Sequence, residues 1–92
     1  MSQEISRGLG WKDRFVVADW LQSPEAKRVL TEREVEALRW RFGLVDMCPH
    51  TLADTASRMA ISRERVRQLC DRALRKRERL LRRGKRAEDV GR

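Results

Sequence analysis

Residues 51–76 read TLADTASRMAISRERVRQLCDRALRK and carry two helix-start signals. Thr51 and Ser62 are favourable N-cap residues, and each precedes a run with helical apolar spacing. Ala60 and Ile61 lie between the two runs and supply a turn that Ser62 completes. The stretch therefore predicts a short helix, a three-residue turn and a second, longer helix, which is the helix-turn-helix arrangement.

The longer helix of this pair has an apolar face and a polar face. At 100° per residue one arc is apolar and is predicted to lie in the core, and it contains Val66, Leu69, Cys70, Ala73 and Leu74. The opposite arc is polar, and it contains Glu64, Arg67, Gln68, Asp71 and Arg75, with Arg63 at its edge. On the shorter helix, the side chains predicted to face the same core are Leu52, Thr55, Ala56 and Met59. We expect the polar arc to face solvent or a partner.

An upstream helix is predicted from a capping box, in which Thr31 and Glu34 bond each other's free backbone amides. Its apolar stripe is Val35, Leu38 and Phe42, with Ala37 and Trp40 at the sides. Gly43 follows this stripe directly and suits a C-cap position. Residues 44–50 are then expected to form a loop that ends at His50.

The N-terminal part is predicted to contain a helix over 12–21. Ser23 and Pro24 then suit the N-cap and the first position of a short helical turn through Val29. The large apolar groups of this region are expected mainly in the core, and they are Trp11, Phe15 and Trp20. No segment has the alternation and the turn residues that predict a β-hairpin.

The chain is therefore predicted to be all-α, a small helical domain with a helix-turn-helix. Its 92 residues suffice for one compact domain. We expect three segments: an N-terminal helical extension over 1–29, the helix-turn-helix domain over 30–81, and a basic flexible tail over 82–92. The last helix is expected to extend at least to Leu81 and to end near Gly84.

The net charge of +8 comes from one half of the chain. Residues 1–50 carry eight basic and eight acidic side chains, whereas residues 51–92 carry fourteen basic and six acidic ones. Such an asymmetry indicates a polyanion as the partner of the second half. A solvated helix face, or a tail with non-specific affinity, would give the same composition, so the motifs must identify the partner.

Four side chains at the start of the longer helix suit contact with DNA bases, namely Arg63, Glu64, Arg67 and Gln68. An α-helix fits the major groove of DNA, where residues of its N-terminal part meet the base edges. Arginine pairs with guanine O6 and N7, glutamine pairs with adenine, and glutamate accepts from cytosine N4. Together these planar groups predict a surface that reads double-stranded DNA.

Other residues suit contact with the DNA backbone. Arg33 and Arg41 lie on the upstream helix, and Thr51 begins a helix whose free amides can hold a phosphate. The last helix continues the positive surface through Arg72, Arg75, Lys76, Arg77 and Arg79. We expect such contacts to add affinity without sequence preference.

Metal, cofactor, membrane and enzyme functions are not indicated. Cys48, His50 and Cys70 could give three zinc ligands, but structural zinc sites use four at closer spacing. We therefore expect reduced thiols, with Cys70 in the core and Cys48 in the loop. His50 is the only histidine and is expected at the surface, and no carboxylate pair or phosphate loop indicates catalysis. Without a membrane-spanning stretch or a secretory signal, the protein is expected in the cytoplasm.

The motifs taken together resemble region 4 of the sigma-70 family of transcription initiation factors. Residues 30–34 (LTERE) and 38–44 (LRWRFGL) resemble the opening helix of that region, and Thr51-Leu52 resembles the start of its first motif helix. Residues 62–69 (SRERVRQL) resemble its recognition helix. The motifs stand at the family's mutual spacing over residues 30–77, which is about half of the chain.

The resemblance implies a bacterial or phage-encoded regulator, acting at the nucleoid, that binds promoter DNA at a minus-35-like element. The base-contacting residues that it implies are Arg63, Glu64, Arg67 and Gln68. The residues that it implies near the DNA backbone are Arg33, Arg41 and either Thr51 or Leu52. It also implies contact with the flap of the RNA polymerase β subunit. We expect this flap to anchor the protein; a second copy, joined through the N-terminal aromatic segment, is the other available anchor.

Some positions depart from the family. Cys70 stands where the family usually has Glu, and Thr55-Ala56-Ser57 stands where it has a Gly-containing pattern. Nothing resembles region 2, which melts promoter DNA, so the chain is expected to be a fragment or, as Met1 and the distinct residues 1–29 favour, a stand-alone regulator. LuxR-type response regulators share a Leu-Thr-x-Arg-Glu start but lack the Arg-Phe-Gly motif. The main alternative is a region 4 mimic that occupies the polymerase flap, or a sigma-directed partner, and scarcely reads DNA.

Overall fold

The computed structural model describes the backbone of residues 4–90 and the side chains of residues 5–83. Within these residues the elements are a two-stranded sheet of β1 (Glu4–Ser6) and β2 (Leu9–Gly10), a 3-10 turn (Trp11–Asp13), and the helices α1 (Arg14–Leu21), α2 (Pro24–Val29), α3 (Glu32–Arg41), α4 (Leu52–Met59) and α5 (Arg63–Val90). The all-α class with a helix-turn-helix is confirmed, with one small hairpin in addition.

The hairpin contradicts the prediction that no segment forms one. β1 and β2 are antiparallel, with Glu4 opposite Gly10 and Ser6 opposite Leu9. The two turn residues both have positive φ, 51° at Arg7 and 79° at Gly8, which is the twist that two-residue hairpins require. The strands have only three and two residues, so they are too short to show an alternating apolar pattern.

The first helix is close to its prediction, and Trp20 packs against the core cluster as a partly buried residue, whereas Phe15 does not. Ser23 caps α2 by accepting a hydrogen bond from the backbone N of Ala26, as expected. The buried face of α1 is formed by Val17 and Leu21. Phe15 is 64% exposed, which contradicts its expected place in the core. Phe15 lies two positions from Val17 and therefore points to the other side of the helix.

Helix α3 begins and ends at the predicted signals. Thr31 Oγ1 accepts from the Glu34 backbone N at 3.2 Å, and the Glu34 carboxylate accepts from the Thr31 N at 2.9 Å, so the capping box is confirmed. Gly43 has φ of 68° and follows the helix directly. The Leu44 N donates to the Arg39 carbonyl at 2.8 Å, which closes the helix end.

The buried face of α3 includes a charge that the apolar pattern did not predict. Val35 is only partly buried, whereas Glu34 is 1% exposed. Lys76 Nζ on α5 lies 2.9 Å from the Glu34 carboxylate and donates to the Val29 carbonyl at 2.8 Å. Lys76 therefore joins α5 to α3 and α2, and it is not part of the outer positive surface.

The helix-turn-helix has the predicted caps. Thr51 Oγ1 accepts from the Asp54 N, and Ser62 Oγ accepts from the Arg65 N at 3.0 Å. Ala60 ends α4 with φ of 58°. Helix α5 packs mainly against α3 and α4. Its predicted core residues are all buried, and they are Val66, Leu69, Cys70, Ala73 and Leu74.

Helix α5 is longer than predicted. Its backbone continues to Val90, past the expected end near Gly84. Most side chains of the segment 82–92, expected as a basic flexible tail, lie outside the described residues. Val17 and Leu21 of α1 belong to the same core cluster as the buried residues of α3, α4 and α5. One core therefore holds α5 in place along its first half.

Candidate nucleic-acid interface

The start of α5 presents the four predicted base-contacting side chains to solvent. All four are exposed: Arg63, Glu64, Arg67 and Gln68. Directly beneath them Val66 and Leu69 are buried, with exposed fractions of 0% and 2%. Because these two residues are packed on the core, the helix presents the four exposed side chains outward.

Three of these side chains bind each other. The Arg67 guanidinium bonds the Glu64 carboxylate through Nη2 at 2.5 Å and Nε at 3.0 Å, and Gln68 Nε2 lies 3.4 Å from the same carboxylate. The Arg67 guanidinium lowers the pKa of Glu64, and the carboxylate in turn raises the pKa of Arg67. The pair is exposed to water and salt, so its contacts can be exchanged for contacts with a ligand.

An open groove of about 560 Å³ lies between the start of α4 and the start of α5. Its lining residues are Arg41, Thr51, Leu52, Ala53, Arg63 and Glu64. Backbone N–H groups at a helix start have no partner within the helix, and the helix dipole favours an anion there. The groove therefore combines two helix starts with two arginines, and it suits a phosphate group.

Arg41 is held at this groove by the backbone that leads into α4. Its Nη1 donates to the carbonyl oxygen of His50. Its Nε is buried, and among the described residues it has no hydrogen-bond partner. Burial lowers the pKa of the Arg41 guanidinium from its ordinary value, because the charged form loses part of its hydration.

His50 is a residue whose importance the sequence did not reveal. It was expected at the surface, but it is 8% exposed. Its Nδ1 bonds the Asp54 carboxylate, and its Nε2 lies 3.0 Å from both oxygens of Asp46. The edge of its ring faces Trp40, with the ring centres 5.3 Å apart. The only signal in the sequence is the four-residue spacing of the two aspartates on either side of the histidine.

Both aspartates around His50 favour their charged forms. The hydrogen bond from His50 lowers the pKa of Asp46. The pKa of Asp54 is lowered first by the hydrogen bond from Arg58, at 3.1 Å, and then by that from His50. Hydrogen bonds through His50 thus tie the loop before α4 to the first turn of that helix.

The other predicted backbone-contacting arginines lie away from the groove. Arg33 donates to the Met59 carbonyl at 3.2 Å, at the far end of α4. Arg72 is exposed on α5, and Arg75 on the same helix bonds Asp71 at 2.9 Å. The structure thus brings Arg41, Thr51, Leu52, Arg63 and Glu64 together, and it distributes Arg33, Arg72 and Arg75 over two other surfaces.

Arg7 at the tip of the hairpin is a second residue that the sequence did not single out. Its guanidinium bonds both carboxylate oxygens of Glu78 at 2.8 Å and lies 3.3 Å from Asp71. These two carboxylates raise the pKa of Arg7. The hairpin therefore supplies a positively charged partner to two acidic side chains of α5.

The thiols occupy the predicted places, since Cys48 is exposed in the loop and Cys70 is buried. Burial raises the pKa of Cys70 to about 12. Among the side chains of residues 5–83, no group of three or more His, Cys, Asp or Glu is arranged so that it could hold a metal ion. In the same part of the chain, no helix is both long enough and apolar enough to cross a membrane.

Comparison with known proteins agrees with this arrangement. The family model for Sigma-70, region 4, matches residues 28–76. RNA polymerase sigma factor SigA4 of Synechococcus elongatus is 55% identical over 47 residues, which is 51% of this chain and 15% of that protein. RNA polymerase sigma factor SigA of Lactococcus lactis subsp. cremoris is 43% identical over 72 residues, 78% of this chain and 19% of that protein.

RNA polymerase sigma factor sigB of Arabidopsis thaliana is 47% identical over 47 residues, covering 51% of this chain and 8% of that protein. The chain thus spans less than a fifth of the length of each of these relatives. The matched residues include both helices of the helix-turn-helix as far as Lys76, together with the whole of α3. The chain belongs to the sigma-70 region 4 family.

Proposed function

We propose that the chain is a DNA-binding transcription regulator that reads a minus-35-like promoter element through the start of α5, together with RNA polymerase. The observation that carries this proposal is the groove between α4 and α5, where Arg41 and Arg63 stand beside two helix starts. A phosphate held there would bring the start of α5 against the major groove. The function is one of binding, with no catalytic step.

In this proposal Arg63, Glu64, Arg67 and Gln68 contact the bases. Support comes from their exposure above a buried, immobile helix face. Glu64 bonds Arg67 and Gln68 within the helix surface, so less side-chain freedom would be lost when DNA binds. On DNA the arginine would exchange part of this contact for guanine O6 and N7.

In the same proposal, the DNA backbone is contacted by residues in the groove, namely Arg41, Thr51 and Leu52. Arg72 and Arg75 extend the positive surface along α5, and Arg33 lies beside the end of α4. Thr51 is the N-cap of α4, so its own N–H and that of Leu52 are available to a phosphate. We expect these contacts to fix the position of the protein along the duplex.

We assign the polymerase contact to a second, more apolar groove between α2 and α3. Its apolar lining consists of Leu30, Val35, Trp40 and Val45, with charged residues at the rim. The relatives are RNA polymerase sigma factors, which supports polymerase as the partner. The resemblance to region 4 identifies the β flap as the element that would occupy this groove. Such a protein would act in the bacterial cytoplasm, at the nucleoid.

Selection of bound DNA from a random duplex pool tests this proposal, performed with and without RNA polymerase. The expected result is a short enriched element that is recovered more efficiently when polymerase is present, because a single recognition helix needs a second anchor. Binding to the isolated β flap should be measurable, and Val35→Asp in the apolar groove should abolish it. Failure to enrich any sequence under both conditions would contradict DNA reading.

A region 4 mimic that occupies the flap and scarcely reads DNA is the competing function. It is favoured by the binding of Arg67 and Gln68 to Glu64, which engages the donors that bases would need. In the same selection, a mimic would bind the flap but enrich no sequence. Glu64→Ala would then leave the behaviour of the protein unchanged, whereas it alters the selected element if the start of α5 reads DNA.

A second copy of the chain is the other anchor that we propose. Helices α1, α2 and α5 form a groove lined partly by apolar side chains, namely Val16, Trp20, Leu80 and Leu81. Asp19, Glu25 and Arg77 also line it, so a twofold partner could pair acidic with basic residues. Sedimentation at increasing concentration tests this, and Leu81→Asp should keep the protein monomeric.

In this proposal residues 1–29 are an extension of the domain 30–81, and residues 82–92 are its basic tail.

A further inference from the structure

We propose that His50 is a positioning residue of the groove between α4 and α5, where it holds Arg41 and the start of α4 in place as a doubly protonated imidazolium. The inference rests on the proposed function, since the groove has a role only if it binds phosphate. His50 itself lines neither the groove nor the base-reading face. Its effect on DNA would therefore be indirect.

The hydrogen bonds of the ring identify its charged form. Nε2 lies 3.0 Å from both oxygens of Asp46, and Nδ1 bonds Asp54. An ionised carboxylate only accepts hydrogen bonds, and a neutral imidazole has only one N–H to donate. Both contacts are hydrogen bonds only if both ring nitrogens carry protons. The arrangement is therefore that of an imidazolium held between two carboxylates.

The charges around His50 come from three elements. Asp46 faces it from the loop, Asp54 and Arg58 belong to α4, and Arg41 approaches its carbonyl oxygen from α3. The Arg58 guanidinium also stacks over the ring of Trp40 at 4.9 Å. If the imidazole loses one proton, Asp54 keeps its bond to Arg58. Asp46 has no second side-chain partner among the described residues, so the loop contact is the weaker one.

The link from this cluster to the groove is the peptide between His50 and Thr51. Asp46 lies four residues before the histidine and Asp54 four residues after it, so the ring ties the end of the loop to the first turn of α4. The carbonyl oxygen of this peptide accepts the hydrogen bond from Arg41, and its amide belongs to the N-cap residue of α4. A loosened loop would release the carbonyl, and Arg41 would lose its fixed direction.

NMR and DNA binding on the full chain test the inference together. The chain has one histidine, so the ¹⁵N signals of its ring need no further assignment. Across a pH titration we expect both ring nitrogens to start protonated, and the Arg41 guanidinium signal to shift in step with the loss of one proton. Affinity for duplex DNA should fall about three- to tenfold over the same interval, as for one lost hydrogen bond.

Variants separate positioning from charge. His50→Gln should remove the step in the pH profile and bind DNA at the weakened level throughout. Asp46→Ala removes a negative charge, so a purely electrostatic effect would tighten DNA binding. Loss of the hydrogen bond that holds His50 to the loop would weaken it instead. Asp13→Ala, in the 3-10 turn before α1, has the same charge change outside the cluster and outside the three grooves, and it should keep the step in the profile.

The inference is overturned if the Arg41 signal does not move as His50 titrates, or if His50→Gln binds DNA like the unmodified protein at every pH. Should His50→Gln not fold, Asp46→Ala and the NMR titration of the unmodified chain give the answer. If the chain binds no DNA, the proposed function fails. The NMR titration of the free protein still decides whether His50 and its two aspartates hold Arg41 in place.

Discussion

The two halves of α5 belong to one helix but are packed in different ways. From Val66 to Leu74 the inner face is buried against α3 and α4. Beyond Lys76 the cover is thinner, and Leu81 is 52% exposed. The first half is therefore the more firmly held, which the proposed contact with base edges requires. The second half is less constrained by packing.

The acidic residues of α5 are also treated differently in the two halves. Glu64 near the start bonds residues of its own helix. Asp71, near the end of the first half, is bonded both by Arg75 of its own helix and by Arg7, and Glu78 in the second half is bonded by Arg7 from the hairpin at the other end of the sequence. The N-terminal extension thus modifies the electrostatics of α5 from Asp71 onward and leaves the start of the helix open. This comparison predicts that specificity and general affinity can be changed separately.

Salt should have the largest effect. If the second half contributes mainly phosphate contacts, affinity for duplex DNA should fall by about 0.9 log units per contacted phosphate for each log unit of salt. Arg79→Ala should reduce this slope by about 1, whereas Gln68→Ala should not change it. Fluorescence anisotropy titrations at several salt concentrations measure the slope. An affinity that stays constant from low to moderate salt would show that phosphate neutralisation does not drive binding.

Packing should give the next largest effect, measured as the free energy of unfolding in urea. Leu69→Ala in the first half should cost about 2–5 kcal/mol, because it removes a fully packed side chain. Leu81→Ala in the second half should cost less than about 0.5 kcal/mol. Equal losses for the two leucines would mean that the second half is as firmly packed as the first.

The third effect concerns specificity. Arg67→Ala or Gln68→Ala should lose about 1–3 kcal/mol of binding free energy on the selected site and little on random DNA. Arg79→Ala is the matched control, since it should weaken binding to both DNAs equally. Parallel losses for Arg67→Ala and Arg79→Ala would remove the distinction between the two halves.

Much of the fold could be predicted because its signals are local. The caps at Thr31, Thr51 and Ser62 each act within three residues, and the core arc of α5 follows from the helical period. The hairpin was missed because five strand residues are too few for a pattern. Phe15 was placed in the core by its type, whereas the packing of α1 selects Val17 and Leu21 instead.

The site was predictable only where exposed residues lie close together in the sequence. The exposure of the four residues at the start of α5 could be predicted without knowledge of any other element. By contrast, the bond between Lys76 and Glu34 joins positions 42 residues apart, and the bond between Arg7 and Glu78 joins positions 71 apart. The contacts of His50 with Asp46 and Asp54 depend on the path of the loop from residue 44 to 50, which no periodic pattern describes. Such pairings follow from tertiary structure alone.

The burial of Cys70 has a consequence for oxidation chemistry. Oxidants and alkylating agents attack thiolates that they can reach, and a buried thiol with a pKa of about 12 offers almost no thiolate at neutral pH. Cys48 is exposed in the loop before α4. Chemical damage in an oxidising cell would therefore fall on the loop first, and the helix that carries the proposed base-reading residues would keep its packing while the loop was modified.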